Sequence, residues 1–233
     1  MQRFLGAIFI YLVLLIGPVL AADTAYISVD QVDLAKLLAP PPMAQSEQQK
    51  LDLAAVLQAQ GSRTPQQAKR AVADNDQTVF HIAGEVLGPD FTAARLPKLK
   101  MFFDRIHGNV RALFRATKGV WNRPRPFRAS TEVKAVGKLP ANGSYPSAHA
   151  NSGYLAAIIL ANMVPERRGE LFARGREYGL NRIIAGVHFP SDIEAGRIGA
   201  TAMATALFQN ATFMKDFAEA KAELRKELGF PDQ

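Results

Sequence analysis

The sequence predicts an all-α, single-domain helical bundle, on three observations. Apolar residues recur at helical spacing through most of the chain. The stretches between them carry the proline, glycine, serine and threonine signals that start and stop helices. No run alternates apolar and polar residues as a half-buried strand would, and 233 residues without a repeat or long linker suit one domain with a sizeable core.

The N-terminus stands apart from that bundle. Met1-Gln2-Arg3 is followed by an apolar run from Phe4 to Leu20 and by the small residues Ala21 and Ala22. A basic start, an apolar stretch and a small-residue junction describe a secretory signal peptide over residues 1–21, cleaved after Ala21 or alternatively after Ala22. The rival reading is a membrane anchor, which the shortness of the run and Gly17-Pro18 near its end disfavour. No other stretch is apolar enough to span a bilayer. The expectation is an exported protein, periplasmic or secreted, with no stable membrane insertion after cleavage.

Residues 22–45 read as an extended strap, because Leu37-Leu38-Ala39-Pro40-Pro41-Pro42 ends in a proline run that no helix accommodates. The helical domain then fills residues 46–233. From Ser46, the residues Leu51, Leu53, Ala54, Val56 and Leu57 mark one helix face, which Gly61 ends. Thr64-Pro65 supplies a cap and first position for a helix over 66–73. Residues 76–87 form another, broken by Gly88-Pro89, and Asp90 is placed to cap the next helix. Leu96 to about Trp121 reads as a long amphipathic helix. Beyond a loop at 127–145, helices are expected at 147–163, 166–185, 190–209 and 213–228, with Pro146, Pro165 and Pro190 as first-turn prolines.

Composition bounds the partners. Hydrophobic residues make up 48% and charged residues 21%, an ordinary globular balance. The formal net charge is +7, and removal of residues 1–21 leaves 27 basic against 21 acidic residues, or +6. That excess favours anionic partners: nucleic acid, anionic lipid or phosphorylated small molecules. With no cysteine, disulfides and a lipoprotein anchor are excluded.

Three short stretches carry chemistry. The first is Lys118-Gly119-Val120-Trp121-Asn122-Arg123-Pro124-Arg125-Pro126-Phe127-Arg128. Prolines end the helix and stiffen the backbone around Arg125, so its guanidinium can meet a phosphate as a planar fork. The same four cations fit a solvated face or a nucleic-acid patch, although a single tryptophan gives little support to base stacking. The second is Asn142-Gly143-Ser144-Tyr145-Pro146-Ser147-Ala148-His149, where a loop enters an apolar helix. Helix N-termini offer unpaired N–H groups to a phosphate, Ser147 adds a hydroxyl, and His149 is placed to protonate a departing oxygen. Alternatively, Pro-Ser simply starts the helix. The third is Arg182 followed by His188 and Asp192. If a helix begins near Pro190, Asp192 can bond one imidazole nitrogen and leave the other as a nucleophile. The same residues fit a helix-capping Asp beside a packed His.

Order and spacing join the three. The pattern K-x6-R-P, then P-S-x-H, then R-x5-H-x3-D resembles the signature of the type 2 phosphatidic acid phosphatase superfamily, which includes the vanadium haloperoxidases. Within it the chain is similar to the class A bacterial non-specific acid phosphatases, with further support from Leu37-Leu38-Ala39-Pro40-Pro41-Pro42 and from Ser191-Asp192-Ile193-Glu194-Ala195-Gly196-Arg197. The resemblance spans about residues 26–228. It implies the helical bundle of that group and hydrolysis of phosphate monoesters at an acidic optimum. His188 would be the nucleophile, oriented by Asp192, and a charged His149 would protonate the leaving alcohol. Lys118, Arg125 and Arg182, with Ser147 and the backbone N–H groups of Ala148 and His149, would hold the phosphoryl oxygens. His81 and His107 match nothing in the signature and are read as structural. With four histidines and no ligand cluster at metal spacing, no metal and no cofactor are expected. The expected partners are small phosphorylated substrates and not nucleic acid, and the resemblance leaves a homodimer open.

Two positions depart from the family pattern. Ala148 stands where glycine is usual and Asn181 where serine is usual, so altered rate or specificity is expected. Two competing readings remain at this point: a vanadate-dependent haloperoxidase, which the short chain disfavours, and a catalytically idle phosphate-binding protein.

Overall fold

The computed structural model describes residues 25–231; the expected signal peptide lies outside the described residues. Among them the fold is all-α, with no strand. Its axis is α7 (Ala148–Met163), whose residues Ala150 to Met163 are almost all buried. A helix apolar on every side has to be wrapped on every side. The wrapping comes from α8 (Arg168–Ile184), α9 (Pro190–Phe208), α5 (Pro97–Trp121) and α10 (Ala211–Glu227).

Small residues let these helices approach closely. A Cβ on Gly153 of α7 would stand 2.8 Å from the Tyr178 ring and 3.0 Å from the Gly175 carbonyl of α8. A Cβ on Gly175 would stand 2.7 Å from the Gly153 carbonyl. Backbone therefore rests on backbone where α7 crosses α8. Gly196 does the same for α9, where a Cβ would fall 2.4 Å from the Ser147 carbonyl at the start of α7. Both contacts sit within about two turns of the helix ends that carry the site residues.

The remaining elements are short and locally capped. Asp33 accepts from the Ala35 and Lys36 N–H groups and starts α1 (Leu34–Leu37). The strap is therefore not extended throughout: one capped turn interrupts it before the prolines. Tyr26, Ile27, Val32, Leu34 and Leu38 pin it to the core. Ser46 caps α2 (Glu47–Ser62), which continues through Gly61 and ends one residue later than expected. Thr64, Pro65 and Gln67 form a capping box for α3 (Pro65–Ala73). Thr78 starts α4 (Val79–Leu87), three residues after the expected position.

Further expectations are corrected. Asp90 does not cap α5; the Glu223 carboxylate of α10 does, accepting from the Lys98 and Leu99 N–H groups at 3.1 and 2.9 Å. Asp90 instead pairs with Arg95. Pro146 precedes the α7 cap Ser147, through a cis Tyr145–Pro146 bond, and is not a first-turn proline. The apolar face expected on α2 is rotated: Leu51 is 63% exposed, whereas Asp52 is 2% exposed. The segment 166–185 divides into a 3-10 turn, Pro165–Arg167, and α8, and the loop after α5 holds a single turn, α6 (Pro126–Ala129).

Candidate active site

The three stretches meet at the N-terminal end of α7. Lys118, from the last turn of α5, is 8% exposed and donates to the Gly143 carbonyl at 2.8 Å and the Ser144 carbonyl at 3.2 Å. Arg125 leads into α6 with its guanidinium fully engaged. Its Nε donates to the Asn142 carbonyl, Nη2 to Asn142 Oδ1, and Nη1 to the Val187 carbonyl, each at 2.8 Å. Nη1 also lies 3.0 Å from His188 Nε2.

That last contact assigns the His188 proton. A guanidinium only donates, so Nε2 is the ring's lone-pair nitrogen and Nδ1 carries the hydrogen. Nδ1 faces Asp192 Oδ2 at 3.2 Å. The same Oδ2 accepts from the Phe189 N–H at 2.8 Å and from the Ser144 hydroxyl. Asp192 thus caps the start of α9 and orients His188 together. The two readings of this residue left open by the sequence describe one carboxylate.

At the start of α7, Ser147 Oγ accepts from the Ala150 N–H at 3.2 Å, and the Ser147 N–H donates to the Asp192 carbonyl at 3.0 Å. Ala148 and His149 line a cavity of about 710 Å³ with Lys118, Arg125 and His188. The His149 ring stacks on Tyr178 at 6.0 Å and bonds the Asn75 backbone, while its Nε2 is buried without a protein partner. Asp192, Ser147 and Arg182 stand in the wall behind this lining. Arg182 is 2% exposed; its Nη1 donates to the Ala71 carbonyl at 3.2 Å and its Nε has no partner. His107, read as structural, lies on the cavity rim. His81 instead bonds Asp74 at 2.8 Å, in a buried group with Arg174 and Asn181.

Electrostatics follow from concentrating cations out of water. Burial, then the charge of Arg125, lowers Lys118 to about 7. Burial lowers Arg125 to about 10, and lowers Arg182 as well. Burial, then Arg125 and Lys118, pushes His188 well below its ordinary value, which keeps it neutral and nucleophilic. Burial, then Arg182 and His188, pushes His149 down in the same way. The protein alone therefore does not hold His149 in the charged form that the sequence reading assumed. Opposite charge from a bound anion is needed to raise it.

Arg123 is the functional residue that the sequence reading passed over. It bonds Asp192 Oδ1 at 2.6 Å and Ser191 Oγ at 2.7 Å on one side, and Asp52 Oδ2 at 2.7 Å and Gln49 Oε1 at 2.6 Å on the other. Its guanidinium covers the Phe189 ring at 4.2 Å. A signal was present in Arg123-Pro124-Arg125: prolines favour an extended helix of three residues per turn, in which residues two apart point different ways. One arginine enters the cavity and the other backs Asp192. Among the described residues, no group of three or more His or carboxylate side chains stands ready to hold a metal ion.

Comparison with known proteins shows the family. The PAP2 superfamily profile matches residues 108–214. A non-specific acid phosphatase of Providencia stuartii is 32% identical over 213 residues, covering 88% of this chain and 86% of that protein. An acid phosphatase of Zymomonas mobilis is 32% identical, over 81% of this chain and 74% of its own length. A non-specific acid phosphatase of Salmonella typhimurium is 33% identical, over 80% and 78%. A solved transmembrane PAP2-type phosphatidylglycerolphosphate phosphatase from Bacillus subtilis aligns with a TM-score of 0.48 at 16% identity, over 79% of this chain and 94% of that one.

Proposed function

Since the chain belongs to the PAP2 superfamily as one of its acid phosphatases, we propose that it hydrolyses phosphate monoesters through a phosphohistidine on His188, without a metal ion. The observation that carries this reading is the Arg125–His188 contact, which puts the ring's lone pair on Nε2 at the cavity wall; there it accepts from Arg125, and a phosphoryl oxygen that takes over the Arg125 N–H would free it. In the first step Nε2 attacks phosphorus and a P–N bond forms as the P–O bond to the leaving group breaks. His149 Nε2–H gives its proton to the departing oxygen, so an alcohol leaves. In the second step neutral His149 takes a proton from water, the resulting oxygen attacks phosphorus, and the P–N bond breaks. Phosphate and neutral His188 remain, and His149 is charged again.

Lys118, Arg125 and Arg182 supply the charge that neutralises the phosphoryl oxygens, with the Ala148 and His149 N–H groups at the helix terminus. The substrate dianion also supplies the opposite charge that His149 lacks, so substrate and proton arrive together. His149 is lowered by burial and by Arg182. In the free enzyme its charged form is lost as pH rises through a value below that of an ordinary histidine, so kcat/KM is expected to be highest on the acid side. Export to the periplasm is part of the same proposal and rests on the pattern of residues 1–21.

The test is hydrolysis of p-nitrophenyl phosphate with chelator present, followed by alkaline quench to trap phosphoprotein. Turnover should persist in chelator, and His188→Ala should lose turnover and adduct while keeping its helical spectrum. Activity removed by chelator and restored by a divalent metal would overturn the metal-free mechanism. Phosphate binding without turnover would identify an idle binder.

A further inference from the structure

A second cavity, of about 400 Å³, adjoins the first. Phe103 and Ile106 of α5, Leu155 and Ala156 of α7, and Val79 and Ile82 of α4 line it. Gln77 and His107 line both cavities, so the two share a wall. The helices set the direction. On α7, His149 lines the phosphate cavity, and Ser152 and Ala156, on the same face, line the apolar one. They stand about 4.5 and 10.5 Å further along the helix axis at 1.5 Å per residue. On α5, Lys118 and Phe114 belong to the phosphate end, and Phe103 to the apolar end.

Ser152 is 8% exposed, and its hydroxyl has no hydrogen-bond partner. A buried polar atom left unpaired is costly, so this hydroxyl in an apolar wall is a handle for a ligand oxygen. Burial also lowers His107, which keeps the shared wall uncharged near neutral pH. At the rim Lys100 and Asp104 pair with each other and present no net charge.

We propose that this cavity is the leaving-group subsite, and that the enzyme prefers phosphate monoesters of apolar alcohols, alkyl or alkyl-ether, over those of small polar ones. The proposal rests on the reading that His149 protonates the leaving oxygen, since that places the alcohol beside the α7 face running into the cavity.

Methyl, butyl and hexyl phosphate test it, because the three alcohols have nearly equal acidity and differ in apolar surface. Each methylene that leaves water is worth about fourfold, so two buried methylenes raise kcat/KM about fifteenfold from methyl to hexyl. Hexylphosphonate should inhibit more strongly than methylphosphonate by a similar factor. Ala93 lines the apolar cavity from a half-exposed loop position, away from the phosphate grip. Ala93→Trp should lower kcat/KM for hexyl phosphate about tenfold and leave methyl phosphate within about twofold, as expected for displaced apolar contact. Equal kcat/KM across the series, or an equal effect of Ala93→Trp on both ends of it, would remove the subsite while the phosphatase stands. No hydrolysis of any ester would remove both.

Discussion

Replacing Arg123 with methionine separates two tasks that this side chain performs together. Its guanidinium is the counter-charge of Asp52 and Asp192, which are 2% and 0% exposed. Breaking a buried ion pair from one side costs about 3–5 kcal/mol. For a chain of this length that lowers the Tm by roughly 6–20 °C. The lower half of that range is expected, because Asp192 keeps the Phe189 N–H and the Ser144 hydroxyl, and Asp52 keeps the Ser191 hydroxyl. The second task is electrostatic. Arg123 is among the cations that push His188 down, so its removal lets His188 take a proton at higher pH. The nucleophile is lost as pH falls through that value, and the acid limb of kcat/KM against pH therefore moves upward. Arg123→Lys keeps a charge and should return the acid limb towards wild type while leaving much of the Tm loss. Profiles of p-nitrophenyl phosphate hydrolysis, with melts at each pH, measure both effects. A uniform loss of rate with an unmoved acid limb in Arg123→Met would refute the electrostatic role and leave only a structural one.

Other consequences are narrower. His149→Ala should slow alkyl phosphates by about 10²–10⁴ and p-nitrophenyl phosphate far less, since nitrophenolate departs without a proton; equal losses would count against a general acid. Lys118, lowered to about 7, loses its charge as pH rises through that value. The affinity for inorganic phosphate should consequently decline above pH 7 more steeply in the wild type than in Lys118→Arg, as measured by calorimetry. Asn181 donates to Asp74 Oδ2 at 2.7 Å and does not line the phosphate cavity. Asn181→Ser should lower stability by about 1.5–3 kcal/mol with kcat/KM within about twofold, and a large rate change would contradict that placement.

The helices were legible where their signals are local. Ser46, Thr64-Pro65 and Pro190 each mark a terminus with the residue that occupies it. The stretches that meet at the candidate site were legible for a related reason: Lys118 and Arg125, and His188 and Asp192, lie close together in sequence. What escaped were pairings across the chain. Arg123 and Asp52 are 71 residues apart, and no local pattern announces that a buried acid on one helix will meet an arginine in a distant loop. The same distance hid the capping of α5 by Glu223, 124 residues from Leu99. The charge state of His149 was also hidden, since it depends on burial and on Arg182 rather than on its neighbours in sequence.

The contact of Gly153 with Gly175 has a mechanical meaning. Side chains on rotatable bonds behave as springs, and a helix pair cushioned by them can shift its spacing when one is exchanged. Here main chain bears on main chain, so α7, which carries His149, and α8, which leads to His188, form a jaw of set gape. Mutational drift cannot retune the separation of the two histidines by repacking that seam. Room for change lies across the opening, on α4 and the middle of α5, where Val79, Ile82, Phe103 and Ile106 line the cavity. Lineages that acquire new substrates from this scaffold should therefore vary there first and leave the hinge of the jaw untouched.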